Sequence, residues 1–221
     1  MKHNVKILMS EFVTHDVKRF VVERPEGYVL LPGQATDVSI NKASLKWEER
    51  PFTFTSLKDD LVLEFTIKKY PEHKGITQRL HELRPGDELV IRNVWGTINY
   101  EGEGVFIAGG AGITPFIAIL RQLKKDGAIT GNKLIFSNKT ERDVIMEKEF
   151  REMFGENAVF TLTREEKQGY ESGRIDKAFL ERHINDFNQH FYVCGSKKFV
   201  EDVNKSLKEL GAKTDLIIFE R

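Results

Sequence analysis

Through roughly the first hundred residues the chain alternates apolar and polar positions in short bursts separated by turn signals. Examples are "VKILMS", "KRFVVERPEG", "ATDVSI" and "LVLEFTIKKY". A period of two is the mark of strands with one face buried, so this half predicts an antiparallel sheet that closes into a small barrel. One helix interrupts it. In "GITQRLHELRPGD", Ile76, Leu80 and Leu83 fall on one helical face, and Pro85-Gly86 ends the helix. After "NYEGEGVF" the pattern changes. Buried strand-like runs ("VFIAGG", "KLIFSN", "AVFTLTR", "HFYVCG", "LIIFER") now alternate with amphipathic helical runs ("TPFIAILRQLKKDG", "VIMEKEFREMFG", "DKAFLERHI", "KKFVEDVNKSLKELG"), and Gly127, Gly155 and Gly211 sit where helices stop. This is the rhythm of a parallel sheet covered by helices. The expectation is therefore two domains, an antiparallel β-barrel with one helix over residues 1–101 and an α/β parallel-sheet domain over 102–221.

Composition narrows the field of functions. The 221 residues hold 34 Lys plus Arg against 34 Asp plus Glu, a formal net charge of zero, which argues against a nucleic-acid partner recruited by bulk charge. The single cysteine, Cys194, allows no internal disulfide and no four-thiolate cluster, and no close spacing of His, Asp and Glu suggests a metal site. No apolar run reaches the ~20 residues needed to span a bilayer, and "MKHNVKILMSEF" lacks the apolar core of a signal peptide. A cytoplasmic, monomeric protein is expected.

Three stretches carry candidate chemistry. In "VFIAGGAGITPFIAIL", residues 105–120, a buried strand breaks at Gly109, Gly110 and Gly112 and restarts as a helix with Thr114-Pro115 in its first turn. Glycines let another molecule approach bare backbone, and a helix N-terminus favours a pyrophosphate. The spacing does not match G-x-G-x-x-G, because Pro115 stands at the third glycine. In "ERPFTFTS", Arg50, Pro51, Phe52 and Thr53 bring a cation, an aromatic and a hydroxyl to the start of one strand, where they suit the phosphate, ring and heteroatom of a flavin. In "FYVCGSKKFV", a buried strand delivers Cys194-Gly195 at its carboxyl end, where ligands sit in open α/β sheets. Each stretch also has a purely structural explanation: a tight turn, an edge strand and a small core residue.

Taken in order, the segments resemble the ferredoxin–NADP(+) reductase superfamily of flavoprotein reductases over nearly the whole chain. "RPFT" is similar to its flavin motif, "GITQRLHELRPGD" to its flavin-pyrophosphate helix, "GGAGITP" to its nicotinamide-nucleotide turn, and "VCG" to its cysteine-glycine strand end. The resemblance implies a flavin-binding barrel and a Rossmann-like domain for the nicotinamide nucleotide. It implies that Arg50 binds the flavin phosphate, Phe52 packs on the isoalloxazine and Thr53 bonds near the reactive nitrogen. It further implies that Thr66, Ile67, Lys68 and Lys69 run along the flavin, and that the N–H groups of Gly75, Ile76 and Thr77 hold the pyrophosphate of FAD. Gly110, Gly112, Thr114 and Pro115 would receive the nucleotide, with Cys194 and Gly195 beside the nicotinamide. Hydride transfer from NAD(P)H to FAD follows, with the protein supplying placement and the cofactor the chemistry.

NADPH is expected over NADH, because Lys139, Arg164 and Arg174 match places where NADPH-using members carry basic residues, although Glu165 and Glu166 beside them suit ribose hydroxyls. The family's last strand commonly carries a glutamate, a spacer and an aromatic that covers the flavin. Here "LIIFER" offers Glu220 and Arg221 and no following aromatic, which implies an uncovered flavin face and a Glu220 available for proton delivery. The expected acceptor is a small electron carrier, flavodoxin or ferredoxin. The alternatives are a reductase of free flavin or quinones, or a non-catalytic electron-transfer subunit of a larger complex.

Overall fold

The computed structural model describes residues 2–70, 75–96 and 98–219. The first half forms strands β1 (His3–Phe12), β2 (Val17–Glu23), β3 (Gln34–Ile40), β4 (Arg50–Thr53), β5 (Val62–Lys68), β6 (Glu88–Ile91) and β7 (Trp95–Gly96), with helix α1 (Ile76–Glu82) between β5 and β6. The strands pair antiparallel in the order β4-β3-β6-β1-β2-β5, and β7 adds to β3. A bridge between Phe54 and Phe65 joins the two ends of that order, so the sheet is a nearly closed barrel, as the alternation predicts. Phe20, Phe54, Phe65 and Leu63 fill it, and α1 seals one end with Ile76 and Leu80.

Helix α1 is shorter than its apolar pattern suggests. Leu83 is buried as expected, but it is the extended residue that leaves the helix, because Pro85 disfavours helical backbone just ahead of it. The ammonium of Lys18 donates to the carbonyls of His81 (3.2 Å) and Leu83 (2.7 Å), which gives this helix end a cationic cap.

The second half contains β8 (Gly104–Gly109), α2 (Thr114–Lys125), β9 (Lys133–Asn138), α3 (Glu147–Phe154), β10 (Ala158–Leu162), β11 (Glu171–Ser172), α4 (Lys177–His183), β12 (His190–Cys194), α5 (Lys197–Glu209) and β13 (Ile217–Phe219). All its strand pairs are parallel, in the order β11-β10-β9-β8-β12-β13. Phe106, Ala108, Leu134, Phe136 and Cys194 pack on one face with α2 and α3. Val105, Ile107, Ile135 and Val193 pack on the other with α4 and α5. Helix α3 begins later than the apolar run implies. Val144 and Ile145 are buried ahead of it, Met146 adopts a left-handed backbone (φ 53°), and the turn at Glu141–Asp143 is closed by a capping box between Thr140 and Asp143.

The two halves share an apolar seam and a polar clamp. Val17 and Ile98, from the barrel half, belong to the cluster on the α2 face of the parallel sheet. Tyr192 anchors the crossing chain, with its hydroxyl accepting from the N–H groups of Glu101 (2.9 Å) and Gly102 (3.1 Å) and donating to the Gly102 carbonyl (2.8 Å). Burial pushes this phenol up to about 12. Arg121, on α2, donates to the Thr55 carbonyl and the Glu64 carboxylate in the barrel, both at 2.8 Å, and to Glu149 on α3 at 2.6 and 3.0 Å. Burial disfavours its charge, but the bonds to Glu149 and the nearby Glu64 outweigh that and raise its pKa.

Removing the guanidinium leaves Glu64, whose side chain is only 12% exposed, with only the more distant Arg19 guanidinium at 3.6 Å. Breaking a fully buried pair costs ~3–5 kcal/mol, and a fifth of the Arg121 side chain reaches solvent, so Arg121→Ala is expected to cost about 2 kcal/mol or more. Thermal unfolding should fall by roughly 5 °C or more. An unchanged midpoint shows that the clamp contributes nothing to stability.

Candidate active site

Strand β8 is followed by β9 on one side, and the chain later returns to place β12 on the other. The carboxyl ends of β8 and β12 therefore lie side by side where the order reverses, the position at which open α/β sheets bind ligands. The Gly110–Ile113 turn and Cys194-Gly195 meet there. Gly112 is pressed against β12 so closely that a Cβ on it would lie 2.3 Å from the Cys194 carbonyl oxygen. Gly110 has φ +54°, and a Cβ there would meet nothing within 4 Å, so its backbone faces open space.

That space is a cleft of about 570 Å³ between the barrel and the sheet ends. Pro51, Phe52, Thr53, Thr66, Lys68 and Tyr70 line it from the barrel. Gly110, Gly112, Thr114, Pro115, Lys139, Cys194 and Gly195 line it from the sheet. Phe52 and Thr53, neighbours on one strand, both border the cleft; Thr53 is buried and Phe52 half-buried. Lys68 is held in place by an ion pair with Asp16 (2.6 Å). Burial works against the Asp16 charge, yet the bonded Lys68 ammonium prevails and holds the carboxyl below its ordinary value.

Other residues singled out from sequence lie elsewhere. Arg50 is exposed and donates to the Glu49 carbonyl (2.7 Å), and it does not border the cleft. Ile67 faces the barrel core, and the backbone N–H of Lys69 donates to the Asp16 carbonyl at 2.9 Å. Gly75 is the extended residue that opens α1, Ile76 is buried beneath it, and the Thr77 hydroxyl accepts from the Tyr70 N–H at 3.4 Å. Arg164 lies in a second depression, which Lys139 also borders, among Glu141, Asp143 and Glu165. Arg174 lines a third pocket of about 270 Å³ with Ser137, Thr163, Ser196 and Lys198. Glu220 lies outside the described residues. Phe219 packs on the α5 face of the sheet, opposite Cys194.

Three of these features were not anticipated from the sequence. Lys198, paired with Asp202 at 3.0 Å, shares the Arg174 pocket, and Ser196 caps α5 by accepting from the Phe199 N–H. Their signal was their place in the first turn of the helix after Cys194-Gly195. In addition, His15, Asp16 and Asp143 bring ligating atoms within 4.8 Å of one another across the domain boundary, although Lys68 already neutralises Asp16 and Thr140 donates to Asp143. Finally, Asn138 lines the cleft with both side-chain amide atoms buried and unbonded.

The residues present fit a flavin and a nicotinamide nucleotide. The cleft is of ligand size, has an aromatic and a hydroxyl on one wall and bare glycine backbone on the other, and holds an unsatisfied amide. The family model for the FAD-binding domain of oxidoreductases matches residues 4–100, and that for the oxidoreductase NAD-binding domain matches residues 106–205. An NADH-cytochrome b5 reductase 2-A of Vanderwaltozyma polyspora is 30% identical over 217 residues, covering 89% of this chain and 72% of the relative.

The chain belongs to the ferredoxin reductase-like family of flavoprotein oxidoreductases.

An NADH-cytochrome b5 reductase 2 of Mycosarcoma maydis is 28% identical over 225 residues, 91% of this chain, which spans only 64% of that relative's length. The fold is also that of a ferredoxin NADP+ reductase from Neisseria gonorrhoeae with bound FAD and NADP, at a TM-score of 0.82 and 21% identity over 99% of this chain and 98% of that one. This flavoprotein is thus an oxidoreductase with FAD and a nicotinamide nucleotide as cofactors. No helix among the described residues is long and apolar enough to cross a membrane.

Gly112→Ala tests the sheet side of the cleft. A methyl group 2.3 Å from backbone forces α2 and β12 apart, a strain of about 1–3 kcal/mol. The expected variant keeps its flavin absorbance but loses nicotinamide-nucleotide affinity by tenfold or more. Wild-type affinity shows that the close approach is incidental to binding.

Proposed function

We propose that this flavoprotein is an NADPH-dependent reductase that passes electrons from FAD to a small electron-carrier protein. In this reading residues 1–101 hold the flavin and 102–221 the nucleotide. The observation that carries it is the single cleft in which Phe52, Thr53, Thr66 and Lys68 of the barrel face the Gly110–Pro115 turn and Cys194 of the sheet. Bound FAD supplies the chemistry, accepting a hydride and releasing electrons one or two at a time.

The chain's own groups do the placing. Phe52 gives an apolar surface for a flat ring, and Thr53 and Thr66 offer hydroxyls along its edge. Gly110 and Gly112 present N–H groups at the start of α2, where the helix dipole favours a pyrophosphate. Cys194, 5% exposed, sets the wall against which the nicotinamide rests and acts as a positioning residue. In this reading Gly75, Ile76 and Thr77, at the start of α1, hold the flavin pyrophosphate. The acceptor is taken to be a one-electron carrier such as ferredoxin, flavodoxin or a cytochrome b5, since the relatives' names divide between cytochrome b5 and ferredoxin reductases.

The preference for NADPH rests on Arg174 and Lys198, two cations in a pocket with the hydroxyls of Ser137, Thr163 and Ser196, which Asp202, the partner of Lys198, also lines. Lys139 and Arg164 support it less, because they sit among Glu141, Asp143 and Glu165. Those carboxylates favour the second reading, in which ribose hydroxyls are bound and NADH is the donor.

Each charge-assisted bond to a phosphate contributes ~1.5–3 kcal/mol. Arg174→Ala and Lys198→Ala should therefore each lower kcat/KM for NADPH by about tenfold or more, with NADH turnover changed less than threefold. Equal losses with both donors, or a wild-type preference for NADH, overturn the NADPH assignment.

A further inference from the structure

Asn138 ends β9 at 5% exposure and lines the cleft, yet among the described residues neither its Oδ1 nor its Nδ2 has a hydrogen-bond partner. Its carbonyl is fully used, accepting from both the N–H (2.9 Å) and the hydroxyl (3.2 Å) of Thr163. The side chain is therefore the anomaly. Buried amides are nearly always bonded, and one left with two idle atoms destabilises the protein that carries it. Its terminal torsion is broad and soft, so a small rotation brings the amide to the cleft wall.

The sheet pattern decides which part of a nucleotide it meets. Along β9, Leu134 and Phe136 pack on the same face as Ala108 and Cys194, and Asn138 continues that alternation. This face also meets Val17 and Ile98 of the barrel half. Ser137 points the other way and borders both the cleft and the pocket of Arg174 and Lys198. A dinucleotide running across the strand ends from the barrel toward that pocket would thus pass Asn138 with its flavin-proximal half and reach the Arg174 pocket beyond Ser137 with its adenosine half.

Resting on the cofactor reading above, we infer that Asn138 is a specificity residue for the nicotinamide mononucleotide half, donating and accepting at once to a group that does both. The ribose diol and the carboxamide share that chemistry. Asn138 touches ligand only; no proton or electron passes through it.

The test is Asn138→Leu in the FAD-loaded protein, with calorimetric binding of NADP+ and of 2′,5′-ADP and thermal midpoints with and without nucleotide. An apolar side chain of similar size removes the idle amide. The midpoint without nucleotide should rise by a few degrees, NADP+ affinity should fall tenfold or more, and 2′,5′-ADP affinity should stay within twofold. Asn138→Ala, which adds no bulk, should give the same binding result. A lower midpoint with NADP+ affinity retained means that a buried water satisfies the amide and overturns the inference, as does an equal loss for 2′,5′-ADP. Failure of the wild type to bind either nucleotide would instead sink the NADPH reading on which the inference rests. Nicotinamide mononucleotide and its deamido acid analogue, compared on wild type and variant, separate carboxamide from diol.

Discussion

Two flat ring systems carried by different domains must meet at contact distance, so everything in this protein depends on how rigidly the barrel is fixed to the parallel sheet. Helix α2 supplies both ends of that constraint. Its first turn, after Gly112, is seated against the end of β12, and seven residues later Arg121 reaches across to Thr55 and Glu64. Seven residues of helix span roughly 10 Å, so the nucleotide turn and the barrel clamp are joined by two turns of rigid rod. Since a misplacement of ~1 Å can cost about a hundredfold in rate, an ion pair remote from the rings still sets their separation. Glu64 adds to this, because it also bonds the hydroxyl of Thr55, which in turn touches Thr66 in the cleft wall.

The fold was legible because its signals were local. Alternation along "LVLEFTIKKY" and the strand–helix rhythm after residue 104 reflect which face of each element is buried, and a period of two or 3.6 survives in any context. That the glycine turn and Cys194 meet could also be anticipated, since strand ends in parallel sheets converge. Where the pattern missed, tertiary packing was responsible. Val144 and Ile145 are apolar because they are buried, and the helix they were expected to begin starts only after a left-handed Met146. Leu83 likewise packs into the core from an extended backbone.

Basic residues were the least readable group, for a physical reason. The sequence gives a loop lysine the same appearance whether it faces a ligand pocket or a carboxylate. Lys139 and Arg164 looked equivalent to Arg174, yet they share a depression with three carboxylates, Glu141, Asp143 and Glu165, whereas Arg174 is joined from a different element by Lys198 and its partner Asp202. The second cation comes from a helix 24 residues further along, and no spacing rule connects them. The same holds for His15 and Asp143, brought together only by domain packing.

Natural sequences tend to be consistent at every level except where function requires otherwise. Here the exceptions gather in one place. Gly112 gives up a side chain for a close backbone approach, two cations line one small pocket, and Asn138 buries an amide with nothing to bond. The idle amide weakens the protein standing alone, and a ligand with phosphate, room for bare backbone contact and paired donor–acceptor groups would engage all three. A merely structural turn accounts for the glycines, but it leaves the cations and the amide unexplained. A dinucleotide accounts for all three at once, since the cleft and the Arg174 pocket share Ser137 as a border and Asn138 stands next to it on the cleft side.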